Sequence, residues 1–594
     1  MNSKILAIHG GHDCSVTCVD KNNQLRIFQL ERFTKIKHCS FKKFRKENEQ
    51  DSKFEDRVKF LDYIKFQLKE EPTYILYSVV IDEDFSLMKR LFPNSKFISM
   101  GHHTSHCIGA YHQSGFKDAL VISLDGGGLE NNHYGIVKNP QQCPLIGYSI
   151  LKISDQKVDV LLTLNSSNAM VFTPGQYASP LQLISEIEDK NKTDHLEKMF
   201  DSNQKYVSAD YLNSNAGKLM GLVAYGNVRK EWIDVIKQNY MMTPADAQNP
   251  MVSIMVGQQM ISTLLSNREE NEDVISAFLS DNQNSLDDIT TLLKSTINCL
   301  SGKHSYDLAA TNQHVFEELC WKLIKPYLDK YDFDVVFSGG CALNVIFNQK
   351  VAEHLNKTNR KLFVSPNPGD DGLSYGHFCS IDKTMNDKFS VYCGFDILDR
   401  EKIPEYYDKY SKIDKVVDMN VSKIVDLIKE GKIGATMIGY SEVGPRALGN
   451  RSIICDPSIP EMKDTLNAKV KFREWFRPFG PVCREEDKDI YFDNAFASPY
   501  MSFAPLVKEE YRQKLPAITH VDGTARLQTV TRDQHELFYD ILTELDNRGH
   551  DAVILNTSFN IKGNPILTTV EDAFYVLENT ELDFLILEDY LFLK

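Results

Sequence analysis

The sequence predicts an α/β protein of two large domains. Its 594 residues exceed what one hydrophobic core usually supports. Short apolar strands ending in glycine-rich stretches recur along the first part of the chain, and a separate set of strands with motifs of its own follows in the last third. The composition is ordinary globular material, 42% apolar and 25% charged.

The first strands are expected at residues 4–10, 14–20 and 24–30, arranged as a hairpin. A further strand over 118–124 runs into Asp125-Gly126-Gly127-Gly128, where missing side chains let backbone approach a ligand at a strand's carboxyl end. A helix with Val315, Phe316, Leu319, Cys320 and Leu323 on one face feeds a third unit, the apolar run 334–338 and the turn Gly339-Gly340-Cys341-Ala342-Leu343-Asn344. Repeated strand-plus-glycine openings suggest an internally duplicated fold. Segments 41–58, 187–206 and 266–287 are polar and read as exposed. No glycine-rich motif falls in 384–415, so the domain boundary is placed near 390. The C-terminal domain has expected strands at 433–440 and 551–555, and its last helix starts at Thr568 or Thr569 with Glu571 and Asp572 in the first turn.

The formal net charge of -15 argues against a long nucleic-acid footprint. No apolar run approaches the roughly 18 residues that span a bilayer, and residues 1–4 lead straight into a strand, so a cytoplasmic protein without a membrane partner is expected. The twelve cysteines include no C-x-x-C pair, which speaks against a zinc ribbon. Against this acidic background, residues 446–477 gather Arg446, Arg451, Lys469, Lys471, Arg473 and Arg477 among turn-forming glycines and prolines. Such density is either a solvated basic face or a pocket for a small polyanion. The hydroxyls and amides of Asn556-Thr557-Ser558-Phe559-Asn560 after a strand, and Arg526 at the exit of the turn 520–526, supply a second wall and favour the pocket.

His102 and His106 stand four apart, so a helix there places both imidazoles on one face. Asp125 and Asp370, both beside glycines, can add oxygen ligands to make a site for iron, zinc or manganese. His12 and Asp13 follow the first strand, either as a turn-stabilising pair or with His12 as a general base towards an alcohol. Lys37 is open between surface charge and anion contact.

These motifs, in this order, resemble the O-carbamoyltransferases of the nodulation-factor, tobramycin and cephamycin type: the His12-Asp13 turn, residues 31–38, H-x-x-x-H with Asp125, residues 217–226, 338–344 and 370–372, G-P-R-A-L-G-N-R-S, K-x-R-E-x-F-R-P-F, H-V-D-G-T-A-R and N-T-S-F-N. The resemblance spans nearly the whole chain. It implies an actin-like (ASKHA) duplicated carbamoyl-transfer domain over 1–390 and a YrdC-like α/β domain over 391–594 that makes carbamoyl-adenylate from carbamoyl phosphate and ATP. It further implies that Lys471, Arg526 and Ser558 contact carbamoyl phosphate, that Arg446 and Arg451 steady the nucleotide together with Asn556, and that Mg accompanies ATP. In the first domain it implies His102, His106, Asp125 and Asp370 as metal ligands with iron foremost, His12 as the base on a small-molecule hydroxyl acceptor, and Gly126, Gly127, Lys218, Ser338, Gly339, Gly340 and Asn344 around the adenylate. Relatives make a homodimer an expectation. The rival activities are carbamoyl or threonylcarbamoyl transfer to tRNA or to a maturation protein, and a non-enzymatic nucleotide-binding regulator. The chain departs from the pattern at Asn215-Ala216-Gly217-Lys218, where relatives carry an acidic residue and glycine, and over 129–212, which is expected to line the acceptor pocket.

Overall fold

The structure, a computed structural model, describes residues 4–41, 53–80, 82–130, 145–155, 157–165, 209–241, 250–265, 302–382, 389–405, 415–561 and 563–594. It is mixed α/β and forms two compact units, each assembled from separate stretches of chain. Residues 1–119, 334–338 and 345–594 make the first, and residues 120–333 and 339–344 the second. The first unit therefore holds residues from both sides of position 390. Of the segments expected to be exposed, 187–206 and 266–287 lie outside the described residues, as does much of 129–212.

In the first unit the expected hairpin strands form as Ile5–His9, Ser15–Val19 and Leu25–Gln29, each buried along its whole length. They pair antiparallel, and Tyr74–Ser78 and Lys96–Ser99 then extend the sheet in parallel beside Ile5–His9. Helices Phe54–Gln67 and Asp82–Leu91 bury Phe60, Leu61, Ile64, Leu87 and Met88 against this sheet's Leu6, Ile8, Val16 and Phe28. Phe395 enters the same core, its ring 5.0–6.5 Å from those of Phe28, Phe33, Phe60 and Tyr63.

Helices His102–Ser114 and Leu373–Ile381 cross with backbone against backbone. A Cβ on Gly376 would sit 2.0 Å from the Ser105 carbonyl oxygen, and one on Gly109 would sit 3.1 Å from the Gly376 Cα. Only glycines permit that approach. Ser105 and His377 fasten the crossing at 2.6 Å, and the other His377 nitrogen meets Ser78 Oγ at 2.7 Å. The crossing carries the two histidines towards Asp370, which opens the short turn Asp370–Gly372 just before the second helix.

Eight strands make the C-terminal sheet, in the order Lys415–Asp418, Tyr590–Leu593, Phe584–Leu587, Gly434–Met437, Arg451–Cys455, Ile554–Ser558, Gly480–Arg484 and Gln528–Val530. Helices Val421–Lys429 and Glu536–Asn547 pack one apolar cluster against it, and Val570–Asn579 packs another. That last helix starts as expected, with Thr569 Oγ1 accepting the Asp572 N–H. Two expected boundaries move. The N-T-S-F-N motif was expected after its strand, yet Asn556 lies inside Ile554–Ser558, because its backbone pairs with both neighbouring strands. The strand expected over 118–124 runs on as Asp118–Leu129, its glycines included.

The second unit contains the antiparallel pair Leu145–Ser154 and Lys157–Asn165 and helices Ala209–Leu222, Ile233–Tyr240, Pro250–Leu265 and Lys303–Lys330. Gly376→Ala is expected to cost about 1–3 kcal/mol or more through overpacking at the helix crossing, read as a lower urea midpoint. Gly217→Ala, on helix Ala209–Leu222 where an added Cβ meets nothing within 4 Å, should instead be neutral or stabilising by up to about 1 kcal/mol.

Candidate functional site

Two constellations form within the first unit. In one, His102 Nε2 and His106 Nε2 are 3.2 Å apart, and each is 3.5 Å from Asp370 Oδ1. Two donors bound at about 2.1 Å to one ion, with an angle of 90–109° between them, stand roughly 3.0–3.4 Å apart. The three atoms thus form a near-equilateral face that fits a first-row cation. All three residues are buried. Four imidazoles surround the Asp370 carboxylate: His9 Nε2 at 3.5 Å and His12 Nε2 at 3.2 Å meet its second oxygen. Burial alone would raise the Asp370 pKa, but the charges of His12 and His102 and hydrogen bonds from His106 and His9 hold it well below the carboxylate range. The neighbouring Asp371 goes the other way: burial, with Asp13 and Glu31 nearby, keeps its carboxyl well above that range, and Gln29 donates to it at 3.2 Å.

His12 is held at both ring nitrogens. Nδ1 meets Asp13 Oδ2 at 3.0 Å while Nε2 faces Asp370, and its side chain is still 37% exposed. Asp13 is in turn fixed by His38 Nδ1 at 2.7 Å, and the His38 backbone N–H donates to Glu31 at 2.9 Å. Burial opposes a charge on His38, yet Asp13 raises its pKa above the ordinary value. With Nδ1 oriented by the Asp13 carboxylate, Nε2 is the ring nitrogen that can act as a general base, and it is the one facing Asp370.

The second constellation is cationic. Lys471 is buried, and its Nζ donates to Ser558 O at 2.6 Å, Ser558 Oγ at 3.2 Å, Asn560 O at 2.8 Å and Asn560 Oδ1. Desolvation first, then the charges of Arg473, Arg477 and Lys37, push its pKa well down. Arg526 is lowered by burial and by Arg446, Arg473 and Arg477, and its Nε is buried without a hydrogen-bond partner. Arg446 falls to about 10 through burial and the charge of Arg477. Arg473 is held down by burial and Arg477, stacks over Phe479 at 4.4 Å and donates to Asn467 Oδ1 at 2.8 Å. Glu474 offers a weak counterweight, 3.5 Å from Arg477. Lys471 is buried and the arginines around it are half-buried; like charges gathered in this way repel, and a polyanion placed among them would relieve that repulsion.

Other residues singled out in the sequence fall elsewhere. Arg451 is fully buried; its two terminal nitrogens donate to the carbonyls of Ile438, Gly439 and Asn450 at 2.7–2.9 Å, which ties the 438–451 loop together, while its Nε has no hydrogen-bond partner among the described residues. Lys469 is exposed. The Asn556 amide donates to Ala447 O and Gln528 Oε1 inside the sheet. Asp125 belongs to the second unit, where Oδ1 accepts the Gly340 N–H at 2.8 Å and Oδ2 faces the Gly127 N–H at 3.4 Å. Gly339, at φ 83°, lies against Leu124, where a Cβ would come 2.2 Å from the carbonyl oxygen, and follows Ser338 at its strand end. Asn344 and Gln313 exchange hydrogen bonds at 2.9 and 3.1 Å. Gly126 borders open space, and Lys218 sits on helix Ala209–Leu222. Sequence reading missed His9, which ends an apolar strand opposite Ser78; its Nδ1 meets Ser78 Oγ at 2.9 Å. Its place three residues before His12 was the available signal.

The chain belongs to the carbamoyltransferase family: the model described as Carbamoyltransferase N-terminus matches residues 56–379, and that described as Carbamoyltransferase C-terminus matches residues 425–594. Among its relatives, an uncharacterized protein of Methanocaldococcus jannaschii is 29% identical over 99% of both chains. Nodulation protein NolNO of Sinorhizobium fredii is 27% identical over 84% of this chain and 64% of its own length. Nodulation protein NolO of Bradyrhizobium diazoefficiens is 33% identical over 48% of this chain and 54% of its own. A crystal structure of full-length HypF in the phosphate- and nucleotide-bound form covers 66% of this chain and 57% of its own at 11% identity and a TM-score of 0.31, a likeness too slight to carry an argument. Among the described residues no helix is long and apolar enough to cross a membrane.

The cationic chamber has a measurable cost. The unfolded Lys471 binds more protons than the folded one between its depressed pKa and 10.5, so anion-free stability should rise with pH through that interval. Arg526→Met is expected to raise anion-free stability by on the order of 1 kcal/mol, seen as a higher thermal midpoint, and to abolish the further rise expected of the wild type in pyrophosphate. Differential scanning calorimetry with and without pyrophosphate checks both signs.

Proposed function

We propose that the protein is an ATP-dependent O-carbamoyltransferase that works in two half-reactions. The observation that supports this reading is the gathering of Arg446, Lys471, Arg473, Arg477 and Arg526 with Glu474 as the acidic counterweight. In the first half-reaction carbamoyl phosphate loses its phosphate to water, leaving carbamate. A carbamate oxygen then attacks the α-phosphorus of Mg-bound ATP, and pyrophosphate departs as carbamoyl-adenylate forms. Lys471, Arg526 and Ser558 hold the carbamoyl phosphate, and Arg446 faces the nucleotide phosphates, with the chamber's charge stabilising what develops on the leaving groups.

In the second half-reaction a hydroxyl oxygen of a small-molecule acceptor attacks the carbamoyl carbon and AMP leaves. His12 takes the hydroxyl proton, and Asp13, held by His38, fixes the imidazole for that transfer. His102, His106 and Asp370 are the ligands for a cation, with Asp125 proposed as the fourth. Two imidazoles with carboxylate oxygen accept iron, zinc or manganese alike, and it is the family resemblance that puts iron foremost. Such an ion, when bound, supplies Lewis-acid polarisation or orientation of the adenylate. Ser338, Gly339, Gly340, Asn344, Gly126, Gly127 and Lys218 are proposed to line the adenylate side.

Separate lesions test the division. Lys471→Ala should lower pyrophosphate release driven by carbamoyl phosphate roughly 100-fold or more, while transfer from supplied carbamoyl-adenylate persists. His106→Ala should do the reverse and lose bound metal, measured by elemental analysis. If both variants lose the same half-reaction, the two-site reading fails.

A further inference from the structure

The loop that carries the chamber's cations also holds two large apolar side chains out of the core. Phe472, between Lys471 and Arg473, is 49% exposed, and Trp475 is 48% exposed. Burial does not account for them, because Phe476 and Phe479 already anchor the same loop at 2% and 1% exposure. Phe472 adopts a φ of 50°, in the left-handed region that bulky residues avoid.

The preceding segment causes this. Leu466–Val470 is a single π-turn, a rare element that concentrates at functional sites. Lys471 N donates to Leu466 O at 2.8 Å and Arg473 N to Asn467 O at 3.0 Å, while the Asn467 side-chain amide reaches the carbonyls of Trp475 and Arg477 at 3.3 and 3.4 Å. The chain is wound around Asn467. Lys471 and Arg473 are thereby held among the chamber's charges, and the ring between them is reversed towards solvent.

We propose that Phe472 and Trp475 form a stacking ledge for the purine base of the nucleotide whose phosphates the adjacent cations hold. This rests on the polyanion reading of the chamber. A nucleotide is a polyanion joined to a flat aromatic ring, and the loop offers a cationic part and an aromatic part at adjoining positions. Carbamoyl phosphate or pyrophosphate alone would leave the rings unused. Stacking on an aromatic face needs no hydrogen-bond code, so the ledge should accept ATP and GTP with similar affinity at this step.

Full-length protein tests the ledge by competition between ATP and inorganic tripolyphosphate, which has the phosphates without the base. Trp475→Ala and Phe472→Gly should each weaken ATP binding about tenfold and leave tripolyphosphate affinity unchanged. Glycine tolerates the left-handed backbone, so Phe472→Gly should keep or raise the thermal midpoint. Trp475→Phe should retain ATP affinity while removing the fluorescence change that ATP produces, since the other two tryptophans, the fully buried Trp232 and Trp321 on helix Lys303–Lys330, belong to the second unit. Unchanged ATP affinity in both Trp475→Ala and Phe472→Gly, or equal weakening of ATP and tripolyphosphate, overturns the ledge. If Lys471→Ala leaves tripolyphosphate affinity intact, the chamber reading itself falls instead.

Discussion

Repulsion among desolvated cations is the constraint around which the C-terminal part is built. Arg446, Lys471, Arg473 and Arg526 all have pKa values depressed by burial and by neighbouring cations, Arg477 in every case. Left to itself such a group would spread into solvent, so the scaffold has to force it together. The eight-stranded sheet does this by anchoring Arg451 and Asn556 inside strands, and the Lys471 ammonium is tethered by carbonyl and side-chain oxygens of residues 558 and 560. Stability is surrendered locally and recovered in the cores on either side of the sheet, a distribution common at binding sites.

The triangle of His102, His106 and Asp370 follows the opposite electrostatic logic. There a single carboxylate is the focus, and buried imidazoles close around it because two helices meet at Gly109 and Gly376. Residues 30–38 serve both places. His38 braces Asp13 beside His12, while Arg32 donates to the carbonyls of Glu442 and Gly444, at the loop that bears Arg446. Glu442 in turn accepts the N–H groups of Leu448, Asn450 and Arg451, so the loop is held from inside.

Much of this was legible in the chain. Spacing of four exposed the His102–His106 pair, because a helix converts that interval into one face, and charge density against an acidic background exposed the chamber. The rest was hidden for physical reasons. His9 looks like the end of an apolar strand until the parallel neighbour brings Ser78 beside it. Arg451 carries the same charge as Arg446, but strand pairing turns its guanidinium onto carbonyls. The compact units escape a linear reading altogether, since residues 334–338 and 339–344 adjoin in sequence and fall into different units.

Arg32 has its donors on carbonyls 410 and 412 residues further along, its own carbonyl accepts from Thr568, 536 residues away, and Phe395 plugs the core beneath it. A ribosome making this chain releases the first sheet long before those partners exist. Until residues 395–444 and Thr568 emerge, the nascent N-terminus carries a guanidinium without its native carbonyl partners and a gap ringed by Phe28, Phe33, Phe60 and Tyr63. Vectorial synthesis therefore leaves the earliest segment among the last to be completed, which makes it a natural client for chaperones that hold open apolar surface.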